Sequence, residues 1–198
     1  MTPSLLSNFI CQYIAVTLKN IKQMKNKIGI LYATVDGQTL KISNELKEVL
    51  TQNGNTVEIY SIDDFDKEID SFDKFIIGSS IRYGKHNSKI IEFIKTHKDQ
   101  FEKTKTAFFS VNLVARKPEK NTPETNPYFI KFLKEVDWKP YKAAVFAGKI
   151  DYKIYSFWDK LMIRLIMWMT KGPTNPDAEI EYTDWGKVKD FGLLIDNM

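Results

Sequence analysis

Short apolar runs alternate with amphipathic helical stretches along most of this chain, and this alternation constrains the fold more than any other feature. The apolar runs are predicted strands at residues 27–33, 56–61, 74–79, 106–111 and 142–148. Strands that are apolar throughout and are joined by helices form a parallel sheet with helices on both faces. We therefore predict an α/β fold with a doubly wound, five-stranded parallel sheet of order 2-1-3-4-5.

Residues 112–140 form a long polar passage between the fourth and fifth predicted strands. The passage contains several prolines and is longer than most connections inside a compact domain. We expect this insertion to be a functional loop, because loops of such length usually are.

The first 23 residues differ from the rest, because they carry an apolar patch and precede a second methionine, Met24. Basic residues follow the patch instead of preceding it, unlike in a signal peptide, and the patch is short for a membrane span. We interpret residues 1–23 as a mis-assigned start or a poorly structured extension in preference to an anchor. Residues 24–198 form the predicted domain, and the choice between Met1 and Met24 as first residue stays open.

Composition limits the classes of function. Of the 198 residues, 43% are hydrophobic, which is enough for one domain with a proper core. The formal net charge of +4 is dispersed, so we expect no nucleic-acid partner, while an anionic substrate or an acidic membrane surface remains compatible. The single cysteine rules out an internal disulfide, and two histidines argue against a metal site.

The first predicted strand ends in the sequence ATVDGQT, and a helix follows it. In an open parallel sheet, ligands bind outside the carboxyl ends of the strands. A helix that begins there offers N–H groups to a phosphate, Gly37 permits close approach, and Thr34, Gln38 and Thr39 can donate hydrogen bonds. The alternative is an ordinary capped turn. We expect the Asp36 side chain to point away from such an anion or to cap the helix. The lack of a P-loop lysine argues against a nucleoside triphosphatase.

The third predicted strand leads into the sequence GSSIRYG at the same edge of the sheet. Small hydroxyl residues and the ring of Tyr83 suit a flat heterocycle that is stacked and hydrogen-bonded at its rim. The alternative is a turn with an exposed tyrosine. Asn112 ends the fourth predicted strand, and we expect it to contact the same heterocycle.

Basic residues follow on the adjoining loops. They are Arg82, Lys85, Arg116, Lys117 and Lys120. Together they could form a rim that receives the carboxylates of a substrate. The alternative is a solvated basic loop.

Residues 154–171 are apolar around most of a predicted helix, with a thin polar stripe of Ser156, Lys160 and Arg164. Tryptophans flanked by basic residues are typical of a helix that lies in the headgroup region of a membrane. The alternatives are burial against the sheet or within a homo-oligomer. Asp159 and the two basic residues argue against a full span.

Several segments together resemble the menaquinone-dependent protoporphyrinogen IX dehydrogenases of bacteria. They are ATVDGQT, IGSSIRYGKHNS, FFSVNLVARKPEKNTPETN, YKAAVFAGKIDY, WDKLMIRLIMWMTKG and YTDW, and the resemblance runs from about Lys25 to the C-terminus. It implies a flavodoxin-like, FMN-binding enzyme of haem biosynthesis at the cytoplasmic side of the cell membrane. Such an enzyme oxidises protoporphyrinogen IX to protoporphyrin IX and passes electrons to menaquinone or ubiquinone.

The resemblance also implies residues for each part of the site. The FMN phosphate would bind to Thr34, Val35, Asp36, Gly37, Gln38 and Thr39. The isoalloxazine ring would be flanked on one side by Ser79, Ser80, Ile81, Arg82, Tyr83 and Gly84. It would be flanked elsewhere by Asn112, Leu113, Val114, Ala115 and Arg116. Candidates for proton handling and substrate positioning are Tyr83, His86 and Arg116. Candidates for binding the propionates are Arg82, Lys85, Lys117 and Lys120.

Other classes of function stay open at this point. One is a flavodoxin-type electron carrier, although such carriers tend to be strongly acidic and this chain is basic. Another is an NAD(P)H-dependent quinone reductase on the same scaffold, although no G-x-G-x-x-G fingerprint is present. A third is a membrane-associated binding module without flavin.

Overall fold

The computed structural model describes residues 26–153, 157–169, 172, 175 and 179–198. The predicted extension at residues 1–23 and the predicted stripe residue Ser156 lie outside the described residues.

A parallel sheet forms the centre of the domain. Its strands are β1 (Lys27–Ala33), β2 (Thr56–Ser61), β3 (Lys74–Arg82), β5 (Lys105–Val111) and β6 (Lys142–Phe146), and β4 (Lys85–His86) pairs antiparallel with β3. The order is β2-β1-β3-β5-β6, which confirms the predicted order of the five parallel strands. A separate antiparallel ribbon, which the sequence did not predict, pairs β7 (Lys149–Asp151) with β8 (Glu179–Glu181).

Helices cover both faces of this sheet. They are α1 (Gln38–Gln52), α2 (Ser88–Thr96), α3 (Lys98–Lys103), α4 (Pro127–Val136) and α6 (Trp185–Asp196), while α5 (Phe157–Met169) packs through Met167 against Ile150 and Tyr152. On one face, Leu46 of α1 and Phe191 of α6 belong to the same buried cluster as Ile30 of β1. On the other face, Ile94 and Phe132 pack with the opposite side chains of the strands. The inner strands β1, β3 and β5 are therefore largely buried on both sides, as the alternation predicted, whereas the edge strand β2 is only partly buried.

The passage at residues 112–140 contains a helix, so its prediction as a long loop is wrong. Helix α4 begins after Asn126, whose side chain accepts from the backbone N–H groups of Tyr128 and Phe129. Pro127 takes the first helical position, where its missing N–H has no consequence. Phe129 and Phe132 then turn to the core at helical spacing. Two 3-10 turns, Leu113–Arg116 and Pro118–Lys120, complete the connection.

Two strand ends also differ from their predicted positions. β3 continues through Arg82, so residues 79–82 belong to the strand and Tyr83 and Gly84 form a tight turn into β4. β6 ends at Phe146 instead of Gly148. The small hydroxyl residues in β3 have low strand propensity, which is why the sequence placed the loop too early.

Helix α5 exposes large apolar side chains. They are Trp158, Leu161, Met162, Leu165 and Trp168. Its buried contact is made by Met167, which clusters with Ile150 and Tyr152. Within the described part of the chain, no helix is long and apolar enough to cross a membrane.

Candidate functional site

A cavity of about 400 Å³ lies at the carboxyl edge of the sheet, beside helix α5. Its volume falls in the range of small-molecule sites, roughly 300–1,000 Å³. The predicted site residues that line it are Thr34, Asp36, Gln38, Thr39, Ser80, Ile81, Arg82, Tyr83, Gly84, Asn112, Leu113 and Val114. All three predicted loops therefore meet at one cavity.

The first loop has the features of a phosphate cradle. Gly37 has φ +82° and is the N-cap of α1, so the helix begins at the cavity wall. Nothing among the described residues lies within 4 Å of a Cβ built on Gly37, which leaves space in front of the helix. The hydroxyls of Thr34 and Thr39 are buried and have no hydrogen-bond partner among the described residues. Orphaned hydroxyls beside free helical N–H groups suit an anion.

The side chains of Asp36 and Gln38 have roles other than those predicted. No side chain caps α1, so the cap, one of the two placements expected for Asp36, is not formed. Asp36 instead accepts from Arg82, with Nη1 3.2 Å from each carboxylate oxygen. The side-chain amide of Gln38 donates to Glu181 at 3.1 Å and to Thr183 at 2.9 Å, which directs it to the segment after β8.

A charged cluster forms one rim of the cavity. Arg82 contacts two carboxylates, because its Nη2 lies 2.6 Å from Oδ2 of Asp159 while Nη1 contacts Asp36. The hydroxyl of Tyr83 donates to Oδ1 of Asp159. Burial raises the pKa of the Asp36 carboxyl; the Arg82 guanidinium opposes this shift, and the carboxylates of Asp159 and Asp151 reinforce it.

Tyr83 occupies an unusual backbone conformation. Its φ is +50°, a region that bulky residues rarely adopt, and its side chain is 68% exposed. The Arg82 guanidinium lies 5.5 Å from the centre of its ring. Such strain persists where the surroundings hold it, and it is common at functional sites.

A buried polar network fixes Asn112, the residue at the end of β5. Its side-chain oxygen accepts from the backbone N–H of Ala115 at 3.1 Å and from the amide of Asn126 at 3.2 Å. Its side-chain amide donates to Ser110 Oγ at 3.3 Å, and that hydroxyl bonds Nε2 of His86 at 2.9 Å. The loop that follows Asn112 is therefore held in one position against the cavity.

His86 lies beneath the cavity and is not among its lining residues. The side chain is 6% exposed and packs against Phe108 and Phe132. Burial lowers the pKa of His86 to about 3, so the ring is neutral at physiological pH. This environment contradicts the prediction that His86 handles protons in the site.

Other predicted residues are not among the described residues that line the cavity. They are Val35, Gly37, Ser79, Lys85, Ala115, Arg116, Lys117 and Lys120. Val35 is exposed and Ala115 belongs to the core. Ser79 is fully buried, with its Oγ 3.4 Å from the backbone N–H of Asn87. Arg116 donates to the carbonyl of Leu113 at 2.9 Å.

Sequence reasoning missed several lining residues. They are Val111, Tyr128, Gly148, Lys149, Asp159, Met162 and Ile163. The signal for Asp159 was a lone acidic residue at the start of an otherwise apolar helix, because such a charge needs a partner. Lys149 begins β7, a strand of the ribbon that only the three-dimensional fold brings to the site.

Comparisons with known proteins agree with this geometry. The flavodoxin domain family matches residues 29–177. A protein named protoporphyrinogen IX dehydrogenase [quinone] from Escherichia coli strain K12 is 42% identical over 170 residues, covering 85% of this chain and 94% of that protein. The chain belongs to this family. A Leishmania major protein of the same name is 38% identical over 167 residues, covering 83% of this chain and 72% of its own length.

Solved flavodoxin structures are less similar to this chain in sequence than the dehydrogenases above. A flavodoxin from the domain Archaea has 13% sequence identity and a TM-score of 0.49, with coverage of 86% of this chain and 96% of that one. The assignment of the fold rests on the family match and the sheet order.

Proposed function

We propose that this chain is a protoporphyrinogen IX dehydrogenase that uses FMN and passes electrons to menaquinone or ubiquinone. The observation that carries the proposal is the 42% identity to the Escherichia coli dehydrogenase across 85% of the chain. Flavodoxins and the family match favour a flavin in the cavity, and the first loop favours one with a terminal phosphate.

The fit of the first loop to an FMN phosphate can be tested on its own residues. Thr34 and Thr39 present buried hydroxyls that need a partner, and α1 presents its N-terminal N–H groups beside them. Asp36 would repel a phosphate if its charge were unopposed, but Arg82 pairs with it. The donor set therefore fits a phosphate. The sequence has no G-x-G-x-x-G loop, the usual cradle for the pyrophosphate of a dinucleotide.

FMN, when bound, supplies the chemistry of accepting two electrons from a carbon–hydrogen bond and giving them to a quinone. The residues of the chain bind and orient the flavin and the substrate. Asn112 is fixed by its network and borders the ring site, while Met162 and Ile163 cover one wall with apolar side chains. Of the predicted proton-handling residues, Tyr83 lines the cavity. We add Asp36, whose raised pKa makes it a better proton acceptor than an ordinary carboxylate.

The experiment is a pair of measurements on the purified chain. Anaerobic protoporphyrinogen IX with a menaquinone analogue is expected to give porphyrin fluorescence at a rate proportional to the protein. Thr39→Val is expected to weaken FMN binding at least tenfold, because each lost charge-assisted hydrogen bond contributes roughly 1.5–3 kcal/mol. Thr51→Val, which changes an exposed threonine at the end of α1 away from the cavity, is the control. Turnover only with artificial one-electron acceptors would favour a carrier instead.

We also propose that the protein acts in the cytoplasm at the inner face of the cell membrane, with α5 as its contact. Trp158 and Trp168 are 72% and 73% exposed, and Leu165 lies between them on the helix. Arg164 is exposed on the same helix and can meet anionic headgroups. Membrane contact through this helix would place the cavity close to a quinone in the membrane. A second copy of the chain is the competing occupant of the same face.

A further inference from the structure

The contact between α5 and the rim has the form of a carboxylate-binding subsite. Both oxygens of the Asp159 carboxylate are engaged, Oδ2 by Arg82 at 2.6 Å and Oδ1 by the Tyr83 hydroxyl. A guanidinium and a phenol that converge on one carboxylate provide charge and direction together. Arg82 and Tyr83 come from the β3–β4 turn, whereas the carboxylate comes from a distant helix.

Helix α5 narrows the cavity in which the flavin and the tetrapyrrole of the proposed reaction would meet. A volume of about 400 Å³ corresponds to one drug-sized ligand. A flavin and a tetrapyrrole must nevertheless come into contact there. Met162 and Ile163 of α5 form part of the wall, so movement of this helix would enlarge the site.

The charges at the rim would allow a substrate carboxylate to take the place of the Asp159 carboxylate. Arg82 lies between Asp36 and Asp159, so two carboxylates share one guanidinium. Asp159 is among the groups that raise the pKa of Asp36, which reflects their mutual repulsion. Lys149, the other cation of the wall, pairs with Asp151 and Glu179. A substrate carboxylate that replaced Asp159 would leave the number of charges on Arg82 unchanged.

We infer that Arg82 and Tyr83 form the subsite for a propionate of the tetrapyrrole, and that Asp159 holds the place of that propionate until the substrate displaces it together with α5. This inference rests on the proposed function. It makes Asp159 a specificity-determining residue, because only a ligand that bears a carboxylate can make the exchange. It also links substrate entry to the position of the helix that carries the exposed apolar face.

The test measures the position of α5 directly. Spin labels on Leu165→Cys and Lys47→Cys, in a Cys11→Ser background of the FMN-loaded chain, report the distance between α5 and α1. The probes are protoporphyrin IX, which bears two carboxylates, and its dimethyl ester, which bears none. Asp159→Asn removes the competing charge with little change of shape. Asp63→Asn, which removes a carboxylate paired with Lys89 on the surface, is the matched control.

We expect protoporphyrin IX to change the distance distribution and its ester to leave it unchanged. Asp159→Asn should shift the distribution before ligand is added and should bind protoporphyrin IX roughly threefold or more tightly, because the competent state is then more populated. Arg82→Gln should abolish the preference for the acid over the ester, and Asp63→Asn should behave like the parent.

Three results would overturn the inference. Binding of protoporphyrin IX without a change in distance would overturn the exchange and leave the proposed function intact. Equal responses to the acid and the ester would overturn the propionate subsite. Retention of FMN with no binding of protoporphyrin IX would overturn this inference, while the turnover assay with protoporphyrinogen IX decides separately whether the proposed function stands.

Discussion

The side-chain amide of Asn126 donates to the side-chain oxygen of Asn112 over 3.2 Å, and this bond joins the start of α4 to the loop at the cavity. Asn126 is fully buried and also donates to the carbonyl of Lys120 at 2.8 Å. One residue therefore caps a core helix and fixes a site residue. Stability and ligand binding are coupled at this position.

Replacement of Asn126 by alanine should impair both properties. The variant loses the helix cap and leaves buried hydrogen-bonding groups without a partner. Together these losses are expected to lower the free energy of unfolding by about 2–3 kcal/mol. FMN affinity should fall as well, because Asn112 loses a partner. Urea unfolding and flavin titration measure the two effects. The control is Asp184→Ala, which removes the cap of α6 and should cost about 1 kcal/mol with FMN affinity unchanged. Equal flavin losses in both variants would contradict the coupling.

His86 should make stability depend on pH. Its pKa is 6.5 ordinarily and about 3 when buried in the folded chain, so between these values the unfolded state binds more protons. The free energy of unfolding should therefore fall as the pH is lowered from 6.5 toward 3, by up to about 1.4 kcal/mol per pH unit from this group.

The variant His86→Gln removes this titration while keeping an amide near Ser110. Urea unfolding at several pH values should give a shallower dependence for the variant than for the parent between pH 6.5 and 4.5. Parallel curves for the two proteins would show that His86 is not buried in its neutral form.

Gly78 should tolerate no side chain. A Cβ at this position would stand 2.1 Å from Cζ of Phe109, which is itself fully buried in the core. Gly78→Ala is expected to lower the free energy of unfolding by about 1–3 kcal/mol through overpacking. Gly148→Ala is the control, since its Cβ would come no closer than 3.5 Å to Val111. Thermal unfolding measures the stability of both variants. Equal melting temperatures would contradict the predicted overpacking against Phe109.

The exposed face of α5 should determine binding to membranes. Sedimentation with anionic lipid vesicles is expected to recover the parent chain, and the double variant Trp158→Ser, Trp168→Ser should stay in solution. Leu193→Ser with Leu194→Ser is the control, because it also replaces two exposed apolar side chains but on a different helix, α6. If the tryptophan variant instead turned a dimer into a monomer with no effect on vesicles, a second copy would be the occupant.

Much of this architecture could be predicted because the strands are unusually clear. Runs such as IGILYA are apolar throughout, so their order followed from the alternation with helices. The three loops could be assigned to one edge because parallel strands place their carboxyl ends together. Helix α4 was missed because Asn126 and Pro127, read as loop residues, in fact mark its beginning.

The roles of individual side chains were harder to predict, because they depend on residues far away in the sequence. Asp36 could cap α1 or pair with a cation, and only the fold brings Arg82 beside it. Arg82 was predicted as part of an open basic rim, yet Asp159, 77 positions later, engages it. His86 was predicted to act in the site because nothing in the sequence indicated β4. This short strand directs the imidazole ring of His86 toward Phe132.

The central claim is that this chain takes electrons from protoporphyrinogen IX through its flavin and gives them to a quinone. The most direct test mixes the FMN-loaded chain with protoporphyrinogen IX under anaerobic conditions and follows the visible flavin absorbance. The account predicts that the absorbance is lost as porphyrin fluorescence rises, and that a menaquinone analogue restores it. Flavin absorbance that responds to dithionite but not to protoporphyrinogen IX would contradict the account.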